Sequence, residues 1–235
     1  MDILGTYWLY KLPNVSYEQT LKSCQEHQFY GVMPAHSSFY YPIKYGYGEV
    51  YLRMAAFLGE HIHTNYTVTD FDWKNRVVNN EYQAECIINT LPWQELSNAF
   101  PQEIKNEIKN LLYTSVDVDY YDEDYNHHTQ MTYFADETLP YHRIIYRKEF
   151  IQSEDVRGYW TEANSKIGCK KGKLSYTNKY AYPINTINKP ASAEKVKLWA
   201  EKQKILSIGR WGDWQYHNSD VVMQQGIDLA KKLLK

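Results

Sequence analysis

The stretch G-R-W-G-D-W-Q-Y-H-N-S-D, residues 209–220, gathers two glycines, an arginine, two tryptophans and a tyrosine at one place in the chain. The apolar run I-L-S-I precedes it and S-D-V-V-M-Q-Q-G-I-D-L-A-K-K-L-L-K follows, so the pattern reads strand, turn, helix. Backbone N–H groups at such a helix start point at an acceptor-rich ligand. Arg210, between Gly209 and Gly212, suits a forked contact to a diphosphate or a carbonyl-rich ring. Trp211, Trp214 and Tyr216 would wall the pocket. An aromatic-rich turn under a lid is the plainer reading of the same spacing. Ser219 or Asp220 is the expected N-cap, and Val222, Gln225 or Gly226, Leu229 and Leu233 the expected buried stripe.

Other clusters carry less chemistry. His61 and His63 share a strand face, as metal ligands can, but no third ligand is evident and ordinary strand histidines explain them better. His127 and His128 face opposite ways and fare no better. The alternating carboxylates of residues 117–124 lack the central glycine and the closing Glu of a calcium loop, which leaves a polar strand face and turn. Gly46-Tyr47-Gly48 is not a G-x-G-x-x-G fingerprint, because position 51 is Tyr. The sequence contains no G-x-S-x-G, C-x-x-C, H-E-x-x-H or P-loop. No metal site is expected.

Bulk properties narrow the classes. A chain of 235 residues can bury a full core without disulfide or metal staples. A formal net charge of −2 gives no basic field of the kind that drives nucleic-acid binding. The short basic run Lys170-Lys171-Gly172-Lys173 reads as a solvated hairpin turn. Cys24, Cys86 and Cys169 are odd in number and far apart, which fits reduced thiols and a cytoplasmic setting. The acid at position 2 and the short apolar run beside it do not read as a signal peptide, and no run approaches a membrane span. With 23 Tyr, seven Trp and seven Phe, the chain suits either half-wet sugar, nucleotide or flavin pockets or, more simply, abundant β-structure.

The elements that must position the turn follow. Ser16 caps a short helix to about residue 27, and Glu49–Leu58 form a helix with a Val50, Met54, Phe57, Leu58 stripe and Gly59 as C-cap. N-R-V-V-N-N-E-Y reads as a hairpin feeding a buried strand at Cys86–Asn89. Residues 101–112 read as a helix with Pro101 in its first turn and a stripe of Ile104, Ile108, Leu111 and Leu112. T-S-V-D-V-D-Y-Y, H-T-Q-M-T-Y-F and Y-H-R-I-I-Y-R-K-E-F alternate and imply an antiparallel meander, with G-K-L-S-Y-T-N-K-Y-A-Y-P as a further strand. A helix at about 191–203 precedes I-L-S-I. The expected class is α+β, an antiparallel or mixed sheet packed with helices. Its parts are a helical segment and glycine loop (1–60), strands and a helix (61–112), an antiparallel sheet (113–183) and the final strand and helix (184–235).

Several pieces together resemble UDP-galactopyranose mutases. G-R-W-G-D-W-Q-Y-H-N-S-D is similar to that family's C-terminal flavin motif, roughly G-R-L-G-x-Y-x-Y-x-D-M-D. In the family's order, Y-Y-P-I-K-Y-G-Y-G-E-V resembles its Pro…Gly-Gly loop, and H-T-N-Y-T-V a strand at the adenine half of FAD. I-I-N-T-L-P resembles V-I-x-T-x-P, a strand shared with amine oxidases. T-Y-F-A-D-E-T-L-P-Y-H-R-I-I-Y-R-K-E-F and Y-A-Y-P-I-N complete the series, which runs from about residue 36 onward.

The resemblance implies FAD contacts from Val68, Gly209, Arg210, His217, Asn218, Ser219, Asp220, Val221 and Val222, and substrate contacts from Tyr216, Tyr182, Arg143 and Trp214. It implies a nucleotide-sugar substrate and a reduced flavin as the nucleophile, so that the protein supplies orientation and electrostatics. The family's G-x-G-x-x-G domain has no counterpart in these residues, which implies completion by a companion FAD-domain polypeptide or truncation from a longer one. The alternative is a flavin-free module that binds a nucleotide sugar or a protein. Tyr113-Thr114 stands where the family has its UDP-gripping Tyr-Arg, and Asn218 where it has Asp; both departures imply a changed substrate.

Overall fold

A computed structural model describes residues 3–9, 16–31, 39–125, 129–151, 156–167 and 172–234. His127, His128, Cys169, Lys170 and Lys171 lie outside the described residues. The class is α+β, with antiparallel sheets, a short parallel ladder and helices.

The N-terminal third carries α1 (Tyr17–Glu26) and α2 (Gly48–Leu58). Ser16 is extended and its hydroxyl accepts from Gln19 N at 3.4 Å, as an N-cap should. Gly59 ends α2 at φ 54. Neither helix buries a residue, and the stripe expected to be inside on α2 is exposed at Met54, Phe57 and Leu58. Helical periodicity predicts which residues share a face, and it does not supply the surface that covers them.

Three short strands follow, β1 (Phe71–Asp72), β2 (Val77–Val78) and β3 (Tyr82–Gln83). β2 and β3 form the expected hairpin, with Asn79 and Asn80 both at positive φ (51° and 55°), the geometry of a primed turn. The chain then runs into β4 (Ile87–Asn89), the one-turn helix α3 (Trp93–Leu96) and α4 (Gln102–Ile108). Ile104, Ile108 and Leu111 are buried as expected, but Leu112 is exposed and Pro101 sits at the cap rather than in the first turn.

The middle forms one antiparallel sheet of β5 (Tyr113–Tyr121), β6 (Met131–Tyr133), β7 (Arg143–Tyr146), β8 (Tyr159–Asn164) and β9 (Leu174–Pro183). Its spatial order is β6-β7-β8-β5-β9, so the expected meander of β5, β6 and β7 is corrected. G-Y-W-T-E-A-N supplies β8, which inserts between β7 and β5, and β7 stops at Tyr146 where a 3₁₀ turn begins. The carboxylates of residues 117–124 divide as a strand face does. Asp117 and Asp119 are buried and accept from Thr177 (2.6 Å) and Ser175 across the β5–β9 pair.

The last part is α5 (Lys189–Lys202), β10 (Ile205–Ser207), the one-turn helix α6 (Gly209–Gly212) and α7 (Ser219–Leu233). β10 pairs with β4 in parallel, Ile205 opposite Ile87 and Ser207 opposite Asn89. α5 packs on both α4 and β10. The core gathers here around Trp93, Phe100, Ile108, Val196, Ala200, Ile205 and Trp214. Ile205 is fully buried, so Ile205→Ala should cost about 2–5 kcal/mol in urea unfolding, the loss typical of a buried large-to-alanine change. A cost below about 1 kcal/mol would mean that β10 is not tied into the core.

Candidate functional site

The turn after β10 is held from both sides. Gly209 has φ 82, a backbone conformation that a side chain strains, and a Cβ at Gly212 would stand 2.5 Å from the Asn89 carbonyl oxygen. The Gly212 carbonyl accepts the buried indole N–H of Trp93 at 2.8 Å. Gly209 N donates to Gln225 Oε1 on α7 (3.0 Å), and Gln225 Nε2 donates to Asp213 Oδ2 (2.6 Å). Asp213 also pairs with Lys197 on α5 at 2.6 Å. These bonds fix the angle at which α7 leaves the turn.

Arg210 occupies the centre. Its Nε and Nη2 donate to the His217 carbonyl (3.3 and 3.1 Å), and its Nη1 donates to the Ala181 carbonyl on β9 (3.2 Å). The guanidinium lies 4.6 Å from the Tyr216 ring centre and 5.6 Å from that of Tyr182. Those two rings stack, 5.5 Å apart and 19° from parallel. Burial, followed by the neighbouring Tyr182, pushes the Tyr216 phenol above its ordinary range.

Arg143 joins the same cluster from β7. Its Nη1 donates to Tyr133 Oη (2.9 Å), and its Nη2 donates to Tyr182 Oη (3.4 Å) and pairs with Glu162. Burial, the largest single effect, opposes its charge, but the Glu162 carboxylate together with the Tyr133 and Tyr182 phenols holds the guanidinium above its ordinary value. His142 stands 3.9 Å from the same Glu162 carboxylate. The result is an aromatic cluster flanked by two cations, built from β6, β7, β8, β9 and the 209–217 turn. Glu162 and Tyr133 were not singled out in the sequence, since they meet Arg143 only through strand registry.

At the head of α7, Asn218 is the N-cap, correcting Ser219 or Asp220, and its side chain makes no capping bond. Ser219 Oγ lies 2.7 Å from Tyr47 Oη, which ties the glycine loop before α2 to this helix start. His217 Nε2 is 3.4 Å from Asp213 Oδ2, Asp220 lies in the first turn of α7, and Val221 is exposed. Val222 stands beneath Gly209, its Cγ1 3.6 Å from where a Cβ would project.

Two expected site residues lie elsewhere. Trp214, expected to face substrate, is fully buried in the core against Trp211 and Tyr113; its φ of 54° turns the ring inward. Val68 lines a separate cleft of about 240 Å³ with Thr69, Glu95 and Ala99. Glu95 accepts from Lys179 (2.7 Å) and Tyr180, whose ring stands 5.5 Å from Trp211.

No protein-family model matches the sequence. The chain is 27% identical over 133 residues to the dTDP-fucopyranose mutase of Escherichia coli, a stretch covering 55% of this chain and 34% of that protein. Its fold matches the crystal structure of reduced UDP-galactopyranose mutase with a TM-score of 0.80 at 18% identity, over 98% of this chain and 60% of that one. The chain thus shares the mutase fold in part and spans about a third of the curated relative's length.

A lysine ammonium cannot span the two carbonyls that Arg210 bridges. Arg210→Lys should therefore destabilise the chain by about 1.5–3 kcal/mol, the range for bonds from a charged donor. Thermal unfolding would reveal it; an unchanged midpoint would show that the fork carries no stability.

Proposed function

We propose that this chain forms the substrate-facing and flavin-capping part of a mutase-like flavoprotein acting on a nucleotide sugar, its G-x-G-x-x-G part lying outside residues 1–235, on a companion polypeptide or on the same longer chain. The observation that carries the reading is the head of α7: a helix start whose N-cap side chain makes no capping bond, set beside a positive-φ glycine and a fixed guanidinium. Such a place fits an anionic or carbonyl-rich cofactor edge, and similarity to two nucleotide-sugar mutases supports FAD.

Gly209, Arg210, His217, Asn218, Ser219, Asp220, Val221 and Val222 would hold the cofactor, with Val68 toward its adenine end. When bound, the reduced flavin supplies the nucleophile that the resemblance implies. The chain's own groups orient. The Tyr182–Tyr216 stack offers a flat face to a sugar or a base, and Arg143 turns the Tyr182 and Tyr133 hydroxyls by accepting none and donating to both. Trp214 sets the position of this wall from behind. The raised Tyr216 phenol remains a hydrogen-bond donor through neutral and mildly alkaline pH.

Mixing the chain with a separate polypeptide that carries the glycine-rich FAD domain should retain FAD and turn the purified mixture yellow. If it stays colourless with added FAD, the flavoprotein reading fails.

One observation favours a second reading, a flavin-free nucleotide-sugar binder. The Arg143, Tyr182, Tyr216 and Arg210 cluster is complete within this chain. Trp211 fluorescence should then be quenched saturably by UDP-sugars and not by FAD, whereas the flavoprotein reading expects a response to FAD once the companion is present.

A further inference from the structure

Lys189 is out of place on two counts. It is the first residue of α5 and is 1% exposed, whereas lysine is almost never fully buried and a cation at a helix start opposes the macrodipole. The N-cap beside it, Asn188, makes no side-chain bond to the helix. Local rules broken at one residue mark a place where another demand wins. The contacts of the ammonium show that demand. Nζ donates to Asn185 Oδ1 at 2.8 Å, and Gln215 Oε1 stands 3.5 Å from it. The N-terminal segment covers this contact. The Tyr7 ring centre lies 5.6 Å from Nζ, Gly5 N donates to the Asn185 carbonyl (2.8 Å), and Tyr7 Oη donates to that of Thr186 (3.2 Å).

The two amide oxygens belong to the two segments that carry the stacked tyrosines. Asn185 lies three residues beyond Tyr182, and Gln215 immediately precedes Tyr216. Arg210 spans the same two segments from their other flanks, through the Ala181 carbonyl just before Tyr182 and the His217 carbonyl just after Tyr216. Gln215 is itself built into the turn. Its N–H donates to the Arg210 carbonyl (3.0 Å), and its carbonyl accepts from His217 N (2.9 Å). A shift of its side chain therefore pulls on the backbone that bears Tyr216. The Tyr182–Tyr216 stack is held on both flanks by cations, and the one on the inner flank is fully buried, where salt does not screen it.

We infer that Lys189 is a positioning residue, which clamps the segments of Tyr182 and Tyr216 from behind so that the two rings meet a nucleotide sugar as one preset face. The ligand class rests on the reading above; the clamp itself does not. An apolar side chain at 189 would fill the same space, but it would offer no donor to either amide oxygen and would leave the two segments joined on the Arg210 flank. A misplacement of about 1 Å at such a positioned group costs up to about a hundredfold in function. The clamp therefore acts on the ligand before it acts on the fold.

The test titrates the 235-residue chain with UDP-galactose by tryptophan fluorescence. In the free chain it also titrates the Tyr216 phenol by NMR of ring-labelled tyrosine, with Tyr216→Phe to assign the signal. Lys189→Met keeps the length and flexibility of the side chain and removes its donors. It should weaken UDP-galactose binding about tenfold or more. It should also bring the Tyr216 phenol, which burial holds above its ordinary range, back down as the ring loosens into water. Should that variant misfold, Gln215→Met at the half-buried partner should produce both changes. Where both fold, the double variant should be no worse than Lys189→Met alone, as for two ends of one contact. Ile108→Ala, in the core on α4, destabilises the chain away from the stack and should leave both readouts unmoved. A phenol that stays raised in folded Lys189→Met or Gln215→Met, additive losses in the double variant, or equal changes in Ile108→Ala would overturn the inference. If the phenol follows Lys189 while the wild-type chain shows no saturable response to UDP-galactose, the clamp stands and the nucleotide-sugar reading fails. Saturable binding indifferent to Lys189 and Gln215 would do the reverse.

Discussion

The hydrogen bond from the Trp93 indole to the Gly212 carbonyl is the constraint on which the site depends. It lies in the core, joins α3 to the turn after β10, and holds that turn against the end of the parallel ladder. The close approach of Gly212 to Asn89 is possible because Gly212 lacks a side chain. With the turn so pinned, Arg210 reaches β9 and the His217 carbonyl, and α7 departs at one angle. Strand registry then sets Glu162 beside Arg143, and the long Arg143 side chain reaches the Tyr182 hydroxyl on β9.

Two structural economies meet at this turn. Arg210 is a structural cation, spanning two segments of main chain, and also the cation beneath a pair of stacked tyrosines. Arg143 is a largely covered cation that pairs with Glu162 and donates to two phenol hydroxyls. Each guanidinium is thus fixed before any ligand arrives. Preorganised charge of this kind costs little reorganisation when a ligand binds.

The strand–turn–helix at 205–233 was legible because its signals are local: an apolar triplet, a glycine, and a long amphipathic run. The Asn79-Asn80 hairpin and the Ser16 cap were legible for the same reason. β8 was not, since G-Y-W-T-E-A-N has the look of a loop until β5 and β7 flank it. The role of Trp214 was hidden too. Its ring faces the core because its own backbone is left-handed, and nothing in the spelling G-D-W-Q marks that. The stripe expected to be buried on α2 is exposed at Met54, Phe57 and Leu58, and on α7 Val222, Gln225, Gly226 and Leu229 are half-covered while Leu233 is exposed, because what covers a helix face is not encoded within that helix.

The central claim is that residues 209–222 are one wall of a flavin site completed from outside residues 1–235. The most direct measurement is a crystal structure of this chain with the glycine-rich polypeptide and FAD. The account predicts the flavin against the head of α7 and within reach of the Tyr182–Tyr216 stack. A flavin held wholly by the companion, away from Gly209, Arg210 and Asn218, would contradict it.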